Sequence, residues 1–119
     1  MPRIKFEKLS SEEAAEPSKN IRTRVQVARE RQLKRFEGLK ILTNAEMSAQ
    51  QLKTFCPVDA TGQDLLRRAV DEYHLSARTY HRILKVARTI ADLAGEEKIL
   101  PQYLAEAIQY RIKEEEKIF

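Results

Sequence analysis

The segment spanning residues 75–95 constrains the fold of this chain more than any other. Ser76 is a residue type that accepts a hydrogen bond from a free N–H at a helix start, and Gly95 suits the left-handed residue just past a helix end. Between them, apolar residues recur with the period of a helix, at Tyr80, Ile83, Leu84, Ala87, Ile90, Ala91 and Ala94. The spacing predicts an amphipathic helix with one buried face.

The other face of this helix is basic. It carries Arg78, Arg82 and Lys85, and Arg78 falls in the first turn. A cation in the first turn opposes the helix dipole and costs about 0.3 kcal/mol or more, unless an anion lies in front of it. Arg78 is therefore the leading candidate for contact with an anion.

Four further helices are expected from the remaining pattern. Their starts are marked by a capping residue or by a proline, at Ser18 or Asn20, Ser48, Asp59 and Pro101. Gln51 follows Ser48 at the spacing of a capping box, and Gly38 suits the end of the first helix. The predicted core contains Val25, Phe36, Leu52, Leu66, Val70, Leu84, Ile90 and Leu104. The fold class predicted is an all-α bundle of about five helices.

The chain has 119 residues, enough for one domain with one modest core. Residues 1–20 have no sustained period, and residues 10–18 are small, acidic and polar, which predicts a linker. We expect the helical domain to span 21–113 and a charged tail to span 114–119. The lone Cys56 cannot form an internal disulfide, and no apolar run approaches the length of a membrane span. Both features favour a cytoplasmic protein without a membrane partner.

Positive charge is concentrated early in the chain, within a formal net charge of +4. Between residues 22 and 35, only Glu30 opposes a basic set that comprises Arg22, Arg24, Arg29, Arg31, Lys34 and Arg35. Such an excess can meet phosphate, so Arg22 and Arg29 are candidate contacts to DNA or to another subunit. The alternative is a solvated helix face, or one that pairs with acidic residues of a neighbouring module.

Catalytic and metal-binding patterns are missing. The chain has no glycine-rich phosphate loop followed by Lys and Ser/Thr, and its 3 glycines stand far apart. Cys56, His74 and His81 are too few and too irregularly spaced for a closed metal site. We therefore expect no ATP hydrolysis by this chain alone and no bound metal or cofactor in it.

A family resemblance begins in the same segment. The sequence from Leu75 to Gly95 is similar to the C-terminal domain of the magnesium-chelatase-like AAA+ ATPases of the ComM/YifB family. The similarity continues through Ile99 and residues 104–111, and upstream it includes residues 27–36. Residues 2–9 resemble the stretch that leaves the ATPase core. The resemblance thus covers nearly the whole chain.

The resemblance implies a helical lid for an ATPase core in the same polypeptide. Arg78 would be the sensor 2 arginine, which reaches the γ-phosphate of ATP, and ATP with Mg²⁺ would be the cofactors of the full-length protein. Whether that nucleotide belongs to the same or to the neighbouring subunit stays open. Family members often carry glycine near position 74, so His74 must adopt a strained turn or leave the helix differently.

The implied parent protein is a ring-shaped DNA motor and ATPase, a hexamer active in branch migration during natural transformation and recombination. Two alternatives remain. One is a module that binds the DNA backbone through residues 22–35, and the other is a domain that only packs subunits together. Arg82 is a further candidate contact to phosphate, to DNA or to another subunit.

Overall fold

A computed structural model describes the backbone of residues 18–118 and the side chains of residues 18–113. Over these residues the chain is helical and contains no strand. The elements are α1 (Ser18–Arg35), a 3-10 helix (Asn44–Glu46), α2 (Ala49–Phe55), α3 (Ala60–Tyr73), α4 (Ala77–Leu93) and α5 (Pro101–Ile118). The predicted all-α bundle of about five helices is confirmed.

The predicted helix starts are confirmed wherever a capping side chain marks them. Ser48 and Gln51 form the expected capping box, in which each side chain accepts a hydrogen bond from the other residue's N–H at 3.2 and 2.9 Å. Asp59 and Ser76 each accept from the N–H three residues on, at 2.7 and 3.1 Å. These bonds connect neighbours in the sequence and therefore need no tertiary context.

Three helix ends use left-handed backbone. Gly38 and Gly95 have φ of 82° and 77°, which glycine adopts without a steric penalty. His74 ends α3 with φ 52° and ψ 47°. His74 thus adopts the strained turn that the sequence left as one of two possibilities. The conformation is strained because a Cβ in this region approaches the following carbonyl oxygen.

The core surrounds α4. This helix packs mainly against α5, and it also contacts α1, the 3-10 helix and α2. Of the predicted core residues, five are buried: Phe36, Leu52, Leu66, Leu84 and Leu104. Val70 and Ile90 are half-buried. In the predicted buried face of α4, Ala94 is exposed because it is the C-cap residue, where the helix ends.

The prediction for Val25 is wrong. Val25 is 42% exposed and Ile21, one turn earlier, is 43% exposed, whereas Ala28 is 4% exposed. The reason is that α1 meets the other described helices only from Ala28 onward. Its earlier turns, residues 18–27, have apolar periodicity, but every residue in them is exposed.

Two helices approach each other closely at Gly62. A Cβ at this position would lie 2.4 Å from Cγ1 of Val58 and 2.8 Å from Cδ1 of Leu104. The missing side chain therefore allows α3 to pack directly on α5.

The two ends of the chain are described only in part. Residues 1–17 of the predicted linker lie outside the described part. In the predicted tail, the backbone of residues 114–118 continues α5. No helix in the described part is long and apolar enough to cross a bilayer.

Candidate functional site

The basic face of α4 lines an open depression of about 610 Å³. Positions 78, 81, 82 and 85 share one helix face because they are three, four and seven residues apart. The last helix contributes one more cation from its C-terminal half. The lining residues are Ala45, Arg78, His81, Arg82, Lys85, Val86 and Arg111. We call this surface the α4 basic cleft.

The α4 basic cleft is strongly positive. Four of its lining residues carry a permanent charge, and none of the described residues that line it is acidic. Arg78 and Arg82 are like charges one turn apart, an arrangement that is unfavourable by a few tenths of a kcal/mol, about 0.2–0.5 kcal/mol, in an isolated helix. A bound anion would relieve this repulsion, and guanidinium groups can grip phosphate oxygens with two hydrogen bonds at once.

Arg78 lies where the sequence placed it. It is exposed in the first turn of α4, and its side chain makes no ion pair or hydrogen bond with another described residue. The Ser76 cap occupies only one of the free N–H groups at this helix start, the one of Thr79. The remaining N–H groups and the guanidinium of Arg78 together suit an anion in front of the helix.

The other predicted contacts do not all join Arg78. Arg82 lies beside it in the α4 basic cleft. Arg22 instead lines a shallow depression on α1, together with Lys19 and Glu30, and Arg29 is exposed farther along that helix. The predicted site residues therefore fall on two surfaces, one on α4 and one on α1.

Two basic residues of α1 have structural partners. Arg31 donates a hydrogen bond of 3.1 Å to the carbonyl oxygen of Gly95. Arg35 donates to both carboxylate oxygens of Asp92, at 2.6 and 2.9 Å, and to Asn44 at 3.0 Å. These contacts fix the end of α1 to the C-terminal end of α4. Of the basic residues between positions 22 and 35 that are candidates for DNA contact, Arg31 and Arg35 therefore stabilise the fold.

The sequence analysis missed Arg88, the largest fully buried side chain. Its guanidinium donates to the carbonyl oxygens of Glu96 and Glu97, at 2.9 and 2.8 Å, and lies 3.4 Å from Asp92. Asp92 is 1% exposed and also accepts from Asn44 at 2.8 Å. Arg88 therefore closes the C-terminal end of α4, where cations suit the helix dipole.

One signal could have found this pair. Arg88 and Asp92 are four residues apart, and both fall within the apolar stripe that contains Leu84 and Ala91. Opposite charges at this spacing on an otherwise apolar face indicate a buried ion pair.

Burial shifts two pKa values around this cluster. Desolvation lowers the pKa of the Arg88 guanidinium, while the nearby Asp92 carboxylate acts in the opposite direction. Burial raises the pKa of the Cys56 thiol to about 11, although the charges of Arg88 and Arg35 favour the thiolate. Cys56 is thus a buried neutral thiol. Among the described residues, no three His, Cys, Asp or Glu side chains come together as metal ligands would.

Comparison with known proteins identifies the family. The sequence profile described as "Magnesium chelatase, subunit ChlI C-terminal" matches residues 15–111. Over 96 residues, the chain is 40% identical to competence protein ComM of Haemophilus influenzae, 38% to YifB of Escherichia coli and 35% to YifB of Salmonella typhimurium. These matches cover 81% of this chain and 18% of each relative. The chain therefore spans about a fifth of its relatives' length, and it belongs to the magnesium chelatase ChlI C-terminal family, as the C-terminal domain of a ComM/YifB-type protein.

Proposed function

We propose that this domain is the lid of an AAA+ ATPase and that Arg78 is its sensor 2 arginine, in contact with the γ-phosphate of ATP. The observation that carries the proposal is the position of Arg78. It lies in the exposed first turn of a capped helix, without a partner among the described residues, in a cleft lined by cations. As a structural residue it would only oppose the helix dipole.

The residues of the α4 basic cleft fit the phosphates of a nucleotide better than they fit its metal ion. Arg78, Arg82 and Lys85 supply positive charge, whereas Mg²⁺ prefers carboxylate and other oxygen ligands. ATP would supply the bond that is hydrolysed, and Mg²⁺ would be held by the core of the parent protein. The lid would bind and orient the terminal phosphate and would lose a contact when that phosphate leaves.

The nucleotide in contact with Arg78 can belong to the same subunit or to the neighbouring subunit of a ring. The α4 basic cleft is compatible with either arrangement. We further propose that the parent protein is a ring-shaped, hexameric DNA motor acting in branch migration. Support comes from the family and from a relative that bears the name competence protein. The partners of this domain would be the AAA+ core of its own polypeptide, the neighbouring subunits, and DNA through the assembled ring.

The affinities of the full-length protein for ATP and ADP test the role of Arg78. Arg78→Ala should weaken the binding of ATP more than that of ADP, because only ATP has the phosphate that sensor 2 contacts. The matched control is Arg67→Ala, which removes an exposed arginine of α3 outside the cleft. Equal losses for both nucleotides in Arg78→Ala, or none, would argue against a γ-phosphate contact.

A second candidate function is binding of the DNA backbone by α1. It is favoured by Arg22 and Arg29, which remain exposed, and disfavoured by the structural use of Arg31 and Arg35. Titration of the 119-residue chain with duplex DNA distinguishes the two. Micromolar binding that weakens steeply with salt, and that is lost in the Arg22→Ala/Arg29→Ala double variant, would favour the DNA-binding module.

The third class, a domain that only packs subunits together, predicts binding of neither DNA nor nucleotide in any context. It differs from the lid in the full-length protein. There, a packing domain would leave nucleotide affinity unchanged when Arg78 is replaced.

A further inference from the structure

We propose a second anion site in this domain, which binds a phosphate-class oxyanion at the C-terminal end of α4. The site is an open depression of about 590 Å³ between the end of α1, the end of α2 and the turn after α4. The charged residues that line it are Arg31, Lys34, Arg35, Arg88 and Glu97. Arg88 lies ten residues after Arg78, about 15 Å along the helix, so this site is separate from the α4 basic cleft.

The first argument is charge. Four cations line the depression, and Glu97 is the one acidic side chain among its lining residues. Asp92 adds a second carboxylate beneath them, paired with Arg35 at 2.6 Å. Two positive charges are therefore in excess. An oxyanion with one or two negative charges would balance them, whereas a neutral ligand would not.

The second argument is an unpaired buried donor. Arg88 is 2% exposed, and its Nε has no hydrogen-bond partner among the described residues. Its two terminal nitrogens already donate to the carbonyl oxygens of Glu97 and Glu96. A buried N–H without an acceptor has lost its hydrogen bonds to water and gained none in return, and this loss is larger for a charged group. Arg88 lines the depression, so an oxyanion bound there would supply the missing acceptor once the lining side chains move enough to admit an oxygen to Nε.

The third argument is that the cations are held in place. Arg31 and Arg35 are fixed by Gly95 and Asp92, so two guanidinium groups are positioned before any ligand arrives. Lys34 is exposed and forms no ion pair with another described residue, which leaves its ammonium group available. Such preorganisation lowers the entropy cost of binding.

The test is a titration of the 119-residue chain followed by NMR of the arginine Nε–H groups. Inorganic phosphate is added at constant ionic strength, with chloride as the balancing anion, so that general screening does not change. The Arg88 Nε–H signal should move with a saturable dependence on phosphate. Lys34→Gln should weaken this binding about two- to fivefold, the effect of one exposed charge, without touching the buried cluster.

Two controls keep the inference falsifiable. Lys40→Gln removes an exposed lysine that lines none of the depressions described above, and it should leave the phosphate affinity unchanged. Acetate, titrated in the same way, should bind more weakly than phosphate. A shift of Arg88 Nε–H that grows linearly without saturation would mean an adventitious ion only. Equal losses in the two lysine variants, or acetate binding as tight as phosphate, would also overturn the proposed site.

Discussion

At the residue scale, Asp92 shows what a buried charge requires of its neighbours. Its carboxylate accepts from Arg35 and Asn44 and lies beside Arg88, within a helix that is otherwise apolar on this face. Taking an ion out of water costs several kcal/mol unless partners compensate for it. Here one carboxylate is the shared ion-pair partner of two arginines, so its loss would leave both of them unpaired.

We therefore expect Asp92→Asn to be severely destabilising. The change keeps the size of the side chain but removes the charge that Arg35 and Arg88 face, and breaking a buried pair in this way costs about 3–5 kcal/mol. Urea unfolding measures the effect. Asp71→Asn, at an exposed position of α3, is the control and should change stability by less than about 0.5 kcal/mol. Similar stabilities for the two variants would show that the cluster is not a stabilising unit.

Cys56 gives a pH-dependent prediction. Its pKa is raised from 9.0 to about 11 by burial, so the folded state disfavours the thiolate. The unfolded chain loses its thiol proton first as the pH rises. Stability should consequently be unaffected by this group below pH 9.0 and should fall between there and about 11. Urea unfolding across this range should show the fall in the wild type, and less of it in Cys56→Ala.

The same shift protects the thiol from alkylation. Because the thiolate is the reactive form, iodoacetamide should modify Cys56 slowly in the folded chain and at the rate of an ordinary cysteine in denaturant. Equal rates in the two states would contradict the buried, neutral thiol.

At the scale of elements, α3 and α5 are held together where Gly62 leaves no side chain between them. Gly62→Ala brings two opposing effects. Alanine favours the helix by about 1 kcal/mol, but its Cβ would lie 2.4 Å from Val58 and 2.8 Å from Leu104. Since overpacking of this kind costs about 1–3 kcal/mol, we expect the steric effect to prevail and the free energy of unfolding to fall.

Thermal melting checks this prediction, with Thr61→Ala as the matched control at the preceding, exposed position. The control should melt close to the wild type. A higher melting temperature for Gly62→Ala would mean that α3 and α5 can move apart at little cost, and the close approach would not be a constraint.

The elements also show which parts of the fold can be predicted from sequence. Caps such as Ser48 and Asp59 depend on residues three positions away, and they were predicted correctly. Val25 has the right period for a buried position, but burial depends on which element lies opposite, and no local pattern specifies that. Arg88 was missed for the related reason that its guanidinium donates to carbonyl oxygens in the turn after α4, and only the fold brings that turn to it.

At the scale of the whole molecule, the two ends of α4 have different chemistry. At the N-terminal end, Arg78 and Arg82 line an open cleft without partners among the described residues, whereas at the C-terminal end Arg88 and Arg31 donate to carbonyl oxygens of the turn that follows. Of the candidate site, the sequence predicted Arg78 and Arg82 on one helix face. It did not predict that Arg111, from α5, lines the same cleft, because that contact depends on how the two helices cross.

If Arg78 senses nucleotide as we propose, sensing and folding use different arginines. Arg78 makes no core contact and opposes the dipole of α4, so Arg78→Ala should leave the stability of the 119-residue chain within about 0.5 kcal/mol of the wild type. In the full-length protein the same change should remove part of the stabilisation of the transition state at the γ-phosphate.

The most direct test of the sensor 2 assignment is the rate of ATP hydrolysis by full-length Arg78→Ala, measured with and without DNA. We predict a loss of about tenfold or more in turnover, equivalent to about 1.4 kcal/mol, with normal turnover in the Arg67→Ala control. Unchanged hydrolysis by Arg78→Ala, in a protein that melts like the wild type, would contradict the assignment of Arg78 as the γ-phosphate sensor.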